Sequence, residues 1–239
     1  MGKRVVLSNI VSRLSVLPVR ISARRVVILG LVAGYIDALS FVDLGGIFAG
    51  AMTGNTTHMG ALFIDGHWQH ALLRMSVLII FLGMAILASL IRLLCSSLYV
   101  IGLAIVLMLF AQLAYGSFYW RYVGELIILP ALLAIQGAAF TRFSGTPMPT
   151  IVVTTNLLKA ASGVAGVIAS RLLPEKMPLP LAGSILLPTL SWFSFLIGVM
   201  LGAVILATQN TYPFLLPVPF LAFLYWDVFT AERAGQKEE

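Results

Sequence analysis

The stretch "VVILGLVAGYIDALSFVDLGGIFAGAMTGNTTHMGALF", residues 26–63, decides the fold class of this chain. Residues 26–48 form an apolar run, long enough to cross the roughly 30 Å hydrocarbon core of a membrane as a helix. A shorter run, 51–64, follows after a glycine-rich break and carries Thr, Asn and His side chains. Apolar runs recur along nearly the whole chain. The sequence therefore predicts an all-α integral membrane protein, a polytopic helical bundle.

Composition supports this fold class and excludes a soluble domain. Of the 239 residues, 60% are hydrophobic and 10% are charged, and the mean hydropathy is +1.01. The net charge of +6 does not indicate nucleic acid, because six of the fifteen basic residues lie in the first 25 positions, where they favour a cytoplasmic N-terminus. We expect three regions: a basic cytoplasmic segment at 1–25, a single membrane domain at 26–231 and a charged tail at 232–239.

Eight apolar segments are predicted, and two of them differ from the rest. Segments 51–64 and 150–173 contain Thr, Asn and a basic or imidazole side chain, so we expect about six spans plus two short broken or re-entrant polar helices. The other six predicted segments are 26–48, 71–94, 98–115, 123–140, 185–207 and 212–229.

The two polar segments indicate an internal repeat. "MTGN" (52–55) aligns with "VTTN" (153–156), and two long apolar segments follow each motif, which suggests repeated halves at about 26–117 and 121–231. Four spans per half would make the halves parallel, whereas three would make the second half inverted. Three spans per half leave only Arg74 and Arg121 on the outer side, so the charge distribution favours the inverted arrangement.

The polar motifs are candidates for a binding site. Irregular backbone is tolerated at membrane depth only where protein or water satisfies its N–H and C=O groups. We interpret Gly54 as relieving the steric cost of a turn. Thr53 and Asn55 would supply hydrogen-bonding groups beside the N-terminus of a short helix. Their counterparts in the second half are Thr154 and Asn156. The alternative is that these side chains serve only helix packing.

Among the charged residues, Asp37 is the strongest candidate for a functional site. It lies twelve residues after Arg25, about 18 Å along a helix, so it should be near mid-membrane and face the protein interior. In the second half, the residue aligned with Asp37 is Gly137, and Gln136 lies beside it. His58 and Lys159 each follow their Asn by three residues, and either pair with Asp37 or reach the membrane surface.

No catalytic motif, nucleotide-binding loop or metal-ligand spacing stands out, so we expect neither enzymatic activity nor a cofactor or metal. The leading hypothesis is a small-solute transporter or permease. Its predicted site consists of Asp37, Thr53, Gly54, Asn55, Gln136, Thr154 and Asn156. The rival hypothesis is a membrane scaffold or accessory subunit, and an intramembrane enzyme is a more distant one. Beyond the lipid bilayer, a small solute or ion is the expected partner: a helix N-terminus favours an anion, whereas Asp37 favours a cation or proton.

Residues 33–63 resemble the YoaK-like family, bacterial six-span membrane proteins classed by a domain of unknown function. The resemblance rests on Gly34, Asp37 and Ala38, on the glycine-rich break, and on Met52-Thr53-Gly54-Asn55-Thr56. The second-half pattern is weaker, since Val153-Thr154-Thr155 lacks the usual glycine. The resemblance implies six spans in the bacterial inner membrane and carries no activity.

Overall fold

The computed structural model describes residues 19–143, 146–148, 153–173 and 182–236. Most of the predicted basic segment, 1–18, and the last three residues lie outside these ranges. The described elements, in chain order, are α1 (Val19–Asp43), α2 (Met52–Ile64), α3 (Trp68–Leu94), α4 (Ser97–Tyr115), α5 (Arg121–Ala139), β1 (Arg142–Phe143), β2 (Thr146–Pro147), α6 (Val153–Leu172), α7 (Ala182–Ala207), a 3₁₀ turn (Pro213–Leu215) and α8 (Val218–Gln236).

The predicted all-α fold is confirmed, and six stretches of the described chain are long and apolar enough to cross a membrane. They are α1, α3, α4, α5, most of α7, and 213–233, which joins the 3₁₀ turn to α8. Their outer faces expose large apolar side chains such as Leu82, Ile86 and Leu90 of α3, as a protein surrounded by lipid requires. The chain has the features of a multi-pass membrane protein.

The two polar helices differ in length. Helix α2 has 13 residues and is about 20 Å long, too short to cross. Helix α6 has 20 residues, so it is longer than the short helix that the sequence suggested, although it is not among the six apolar spans. A two-stranded antiparallel hairpin, β1–β2, precedes α6 and was not predicted.

Helix α1 is the most buried span and packs most extensively against α7. Glycines spaced four residues apart on both helices permit this contact: Gly30 and Gly34 on α1, Gly198 and Gly202 on α7. A Cβ atom on Gly34 would collide with the carbonyl oxygen of Phe195, and one on Gly198 with that of Leu31. The backbones therefore approach as closely as small-residue motifs allow in membrane helices.

Polar contacts at the helix termini establish how α1 and α5 are oriented. At one end of the bundle, Arg25 Nε lies 2.7 Å from Asp227 Oδ2, and the Arg25 guanidinium lies over the ring of Phe140, just after α5. At the opposite end, Asp43 accepts a 3.0 Å hydrogen bond from Arg121, the first residue of α5. Helices α1 and α5 are therefore antiparallel. We call the two ends of the bundle the Arg25 end and the Asp43 end.

Candidate functional site

The first polar break begins where α1 ends. Gly45 and Gly46 have φ angles of +62° and +83°, a left-handed conformation that glycine adopts without steric cost. They reverse the chain, and the following residues return along the last turns of α1. Ser40 Oγ donates a 2.9 Å hydrogen bond to the carbonyl oxygen of Ile47, which ties the returning segment to the helix. The reversal brings the residues just before α2 to Asp37.

Backbone amides hold the Asp37 carboxylate. Asp37 is 4% exposed, and its Oδ1 accepts a 2.6 Å hydrogen bond from the N–H of Gly50. The neighbouring N–H groups of Ala49 and Ala51 also interact with it. Successive N–H groups form an anion-binding concavity, and the positive end of the α2 dipole lies directly after them. The anion at the start of α2 is therefore a side chain of the protein itself.

Asn55 supports the backbone of the same break. It is fully buried, its Nδ2 donates to the carbonyl oxygen of Phe48 at 2.7 Å, and its Oδ1 accepts from the Phe48 N–H at 3.0 Å. Gly54 lies in the first turn of α2 without a positive φ, so its interpretation as a turn residue was wrong. Its missing side chain instead leaves room for the Phe48 ring, which a Cβ atom would approach to 3.0 Å.

The second polar break has different partners. Asn156 is 1% exposed, and its Nδ2 donates a 2.9 Å hydrogen bond to Ser191 Oγ on α7. Lys159 Nζ donates to the carbonyl oxygen of Pro147 in the hairpin. The second break is therefore tied to α7 and to the hairpin, whereas the first is tied to α1.

Both breaks reach one cavity of about 680 Å³, which we call the central cavity. Three of the predicted site residues line it: Asp37, Thr53 and Thr154. The rest of the lining is mostly apolar and aromatic. It comprises Ala38, Phe41, Val42, Phe48, Gly50, Ala51, Met52, Phe81, Val153, Phe195, Val199 and Ala203. The first residues of α2 and α6 thus face the same space.

The other predicted site residues do not line the central cavity. Gly54, Asn55 and Asn156 are not part of its lining. Asn55 bonds to Phe48 and Asn156 to Ser191, as described above. Gln136 Nε2 donates a 2.6 Å hydrogen bond to the carbonyl oxygen of Leu29, so it joins α5 to α1.

Neither basic candidate partner of Asp37 contacts it. His58 is exposed, and Lys159 bonds to the hairpin. The carboxylate is satisfied by backbone groups instead.

Sequence reasoning missed the aromatic part of the lining. Phe81 of α3 and Phe195 of α7 both line the cavity, and each is thirteen residues after the first residue of its helix. Only this matching position distinguished them from the many other aromatic residues of the chain.

Comparison with known proteins adds the family. The family model described as "Protein of unknown function (DUF1275)" matches residues 26–226. The chain belongs to this family. The resemblance noted above is thus supported at the level of a family of unknown function, and not for the YoaK-like label. No curated protein and no solved structure matches the chain. The family description assigns no activity to its members, and the central cavity is the feature of the structure that bears on function.

Proposed function

We propose that this DUF1275 protein is a small-solute transporter or permease, and that the central cavity is its substrate site. One observation carries the proposal: the polar breaks that follow α1 and α5 open onto the same cavity, and Thr53 of α2 and Thr154 of α6 both line it. Paired breaks in membrane helices that meet near mid-membrane are typical of transporter binding sites.

The helix contacts favour two inverted halves, about 26–117 and 121–231. Helix α1 packs on α7, and α5, its counterpart, packs on α3; α2 packs on α3, and α6 on α7. The first helices of the halves, α1 and α5, are antiparallel. A parallel repeat would require them to run in the same direction.

We further propose that both polar segments are re-entrant. After α1 ends at Asp43, the chain returns to the level of Asp37, and α2 leads back to the start of α3 at the same end of the bundle. In the second half, Asn156 meets Ser191 inside the bundle, and Gly163 faces Ile185, closer to the start of α7. Helix α6 therefore returns toward the end from which its segment entered.

The dimensions and chemistry of the central cavity suit a small molecule. Its volume lies within the range of roughly 300–1,000 Å³ that is usual for small-molecule sites. Apolar and aromatic side chains form most of its wall, and Thr53, Thr154 and the Asp37 carboxylate provide a few polar groups. Such a wall favours a solute with a polar group on a compact apolar body.

We place the Arg25 end in the bacterial cytoplasm because basic residues accumulate on cytoplasmic loops. Arg74 and Arg121 are the basic residues of α3 and α5 near the Asp43 end. More lie toward the Arg25 end, including Arg20, Arg24, Arg25, Arg92, Arg142, Arg171 and Arg233.

Uptake by proteoliposomes against a panel of metabolites tests the proposal. We expect accumulation of at least one solute, and we expect Ala203→Trp, which places a large aromatic ring in the central cavity, to abolish it. Thr57→Val is the matched control, because Thr57 is exposed and does not line the cavity. No uptake above empty vesicles for the whole panel would contradict transport and favour the scaffold hypothesis.

A further inference from the structure

A second cavity of about 500 Å³ lies beside α6, and we call it the lysine cavity. Its described lining contains one charged side chain, Lys159, and the hydroxyl-bearing residues Thr155, Ser162 and Ser184. The remaining lining residues are Pro147, Leu158 and Gly163. Its wall is thus richer in polar side chains than that of the central cavity.

The two cavities lie at different depths on either side of the first turn of α6. Thr154 lines the central cavity, and the next residue, Thr155, lines the lysine cavity. On α7, Phe195 lines the central cavity and Ser184 lines the lysine cavity. These two residues are eleven positions apart, about 16 Å along the helix. The lysine cavity is therefore the one nearer the Arg25 end.

The two polar breaks differ in charge. In the first half, the Asp37 carboxylate occupies the amide groups before α2. In the second half, the position aligned with Asp37 is Gly137, and the adjacent Gln136 donates to Leu29. No acidic side chain is among the described residues that line the lysine cavity, whereas the Lys159 ammonium is. The Lys159 charge is therefore not matched by a carboxylate among the described residues of that wall.

We propose that the lysine cavity binds the anionic group of a small solute, with Lys159 as its charged ligand and the neighbouring hydroxyls as hydrogen-bond donors. The Lys159 ammonium has three N–H donors, and one bonds to the carbonyl oxygen of Pro147. A carboxylate or phosphate group in this cavity satisfies the others. This inference rests on the proposed transport function, since it names the substrate class: solutes with a negative charge.

Charge-selective thiol labelling tests the site without any knowledge of the solute. Cys95, the single native cysteine, is replaced by serine, and Ser162→Cys places a thiol in the lysine cavity of the detergent-solubilised protein. Two reagents are compared, anionic sulfonatoethyl methanethiosulfonate and cationic trimethylammonioethyl methanethiosulfonate. For each reagent, the rate constant with the protein thiol is divided by the rate constant of the same reagent with 2-mercaptoethanol in solution. Because the same thiolate attacks the thiosulfonate sulfur of both reagents and expels methanesulfinate, the ratio of the two rates cancels any change in thiolate fraction.

We expect the anionic reagent to be favoured several-fold over the cationic one at Ser162→Cys. Lys159→Gln should remove the preference, and Lys159→Arg should retain it. Thr208→Cys, exposed in the loop after α7, is the control and should show little preference. Thr155→Cys repeats the measurement if Ser162→Cys does not fold.

A ratio equal to that of the control, or one that Lys159→Gln leaves unchanged, would overturn the proposal. The ratio does not depend on uptake, so failure of the transport hypothesis and failure of the anion site are seen in separate experiments.

Discussion

The N–H of Gly50 donates a 2.6 Å hydrogen bond to the carboxylate of Asp37, thirteen residues earlier in the chain. This bond joins the irregular segment before α2 to the buried face of α1. It also explains how a carboxylate is accommodated inside a membrane protein: hydrogen bonds from backbone amides replace those of water. Asp37 therefore shapes the wall of the central cavity as well as lining it.

Removing the charge of Asp37 should weaken this junction moderately. Asparagine retains an oxygen that accepts from Gly50, but hydrogen bonds to a neutral acceptor are weaker, so Asp37→Asn should lower the free energy of unfolding by about 1–2 kcal/mol. Asp37→Leu removes the acceptor and should cost more. Thermal unfolding in detergent measures both, and equal stability of all three proteins would contradict the role of the carboxylate.

Substitution of Asn55 should affect stability, whereas substitution of Thr53 should affect solute uptake. Asn55→Ala leaves the partly buried N–H and C=O of Phe48 without their Asn55 partner, which should destabilise the protein by about 2–6 kcal/mol at about 1–3 kcal/mol per group. Thr53→Val changes only a group that faces the cavity, so it should alter solute uptake and leave the melting temperature nearly unchanged. The opposite pattern would assign Asn55 to the ligand and Thr53 to packing.

The close contact between α1 and α7 predicts a strong effect of one methyl group. Gly34→Ala places a Cβ atom against the backbone of Phe195, so the helices must separate, at a cost of about 1–3 kcal/mol. Gly83→Ala on α3 is the matched control, since a Cβ atom there meets nothing within 4 Å and should be neutral or mildly stabilising. Similar melting temperatures for the two variants would be inconsistent with the observed packing.

Breaking the buried ion pair at the Arg25 end should be costly. Arg25 and Asp227 are 5% and 8% exposed, so Arg25→Gln leaves an incompletely compensated carboxylate and should destabilise by about 3–5 kcal/mol. Arg24 contacts the same carboxylate, but its side chain is 45% exposed, and Arg24→Gln should cost only about 0–1 kcal/mol. Denaturant or thermal unfolding of the pair of variants measures the difference.

The spans could be predicted from sequence because hydropathy is a local property, and each of the six predicted apolar segments overlaps one of the six apolar spans. The predicted bounds were less accurate, since segment 26–48 runs past the end of α1 at Asp43 and segment 212–229 includes the 3₁₀ turn before α8. The packing of α1 on α7 could not, since the chain contains 21 glycines and only the folded structure shows which ones contact a neighbouring backbone. The hairpin before α6 was missed because two-residue strands leave no alternating pattern.

The candidate site was predictable only in outline. A carboxylate in a long apolar run must face the interior, so Asp37 could be located, but its partners are backbone amides, which every residue except proline possesses. Glycine after threonine suggested a turn at Gly54, yet the turn uses Gly45 and Gly46, and Gly54 only makes room for Phe48. Which polar side chains face the cavity depends on helix rotation, and the short motifs do not encode it.

Cross-linking Thr53→Cys to Thr154→Cys, in a chain that carries Cys95→Ser, tests most directly whether the two breaks share one cavity. Bifunctional methanethiosulfonates of graded length are applied, and mass spectrometry after digestion identifies the linked peptides. We predict an efficient intramolecular link with short reagents, and a much slower one for Thr57→Cys with Thr154→Cys, because Thr57 does not line the cavity. If each cysteine reacts singly but no reagent length joins residues 53 and 154 within one chain, the shared cavity is contradicted.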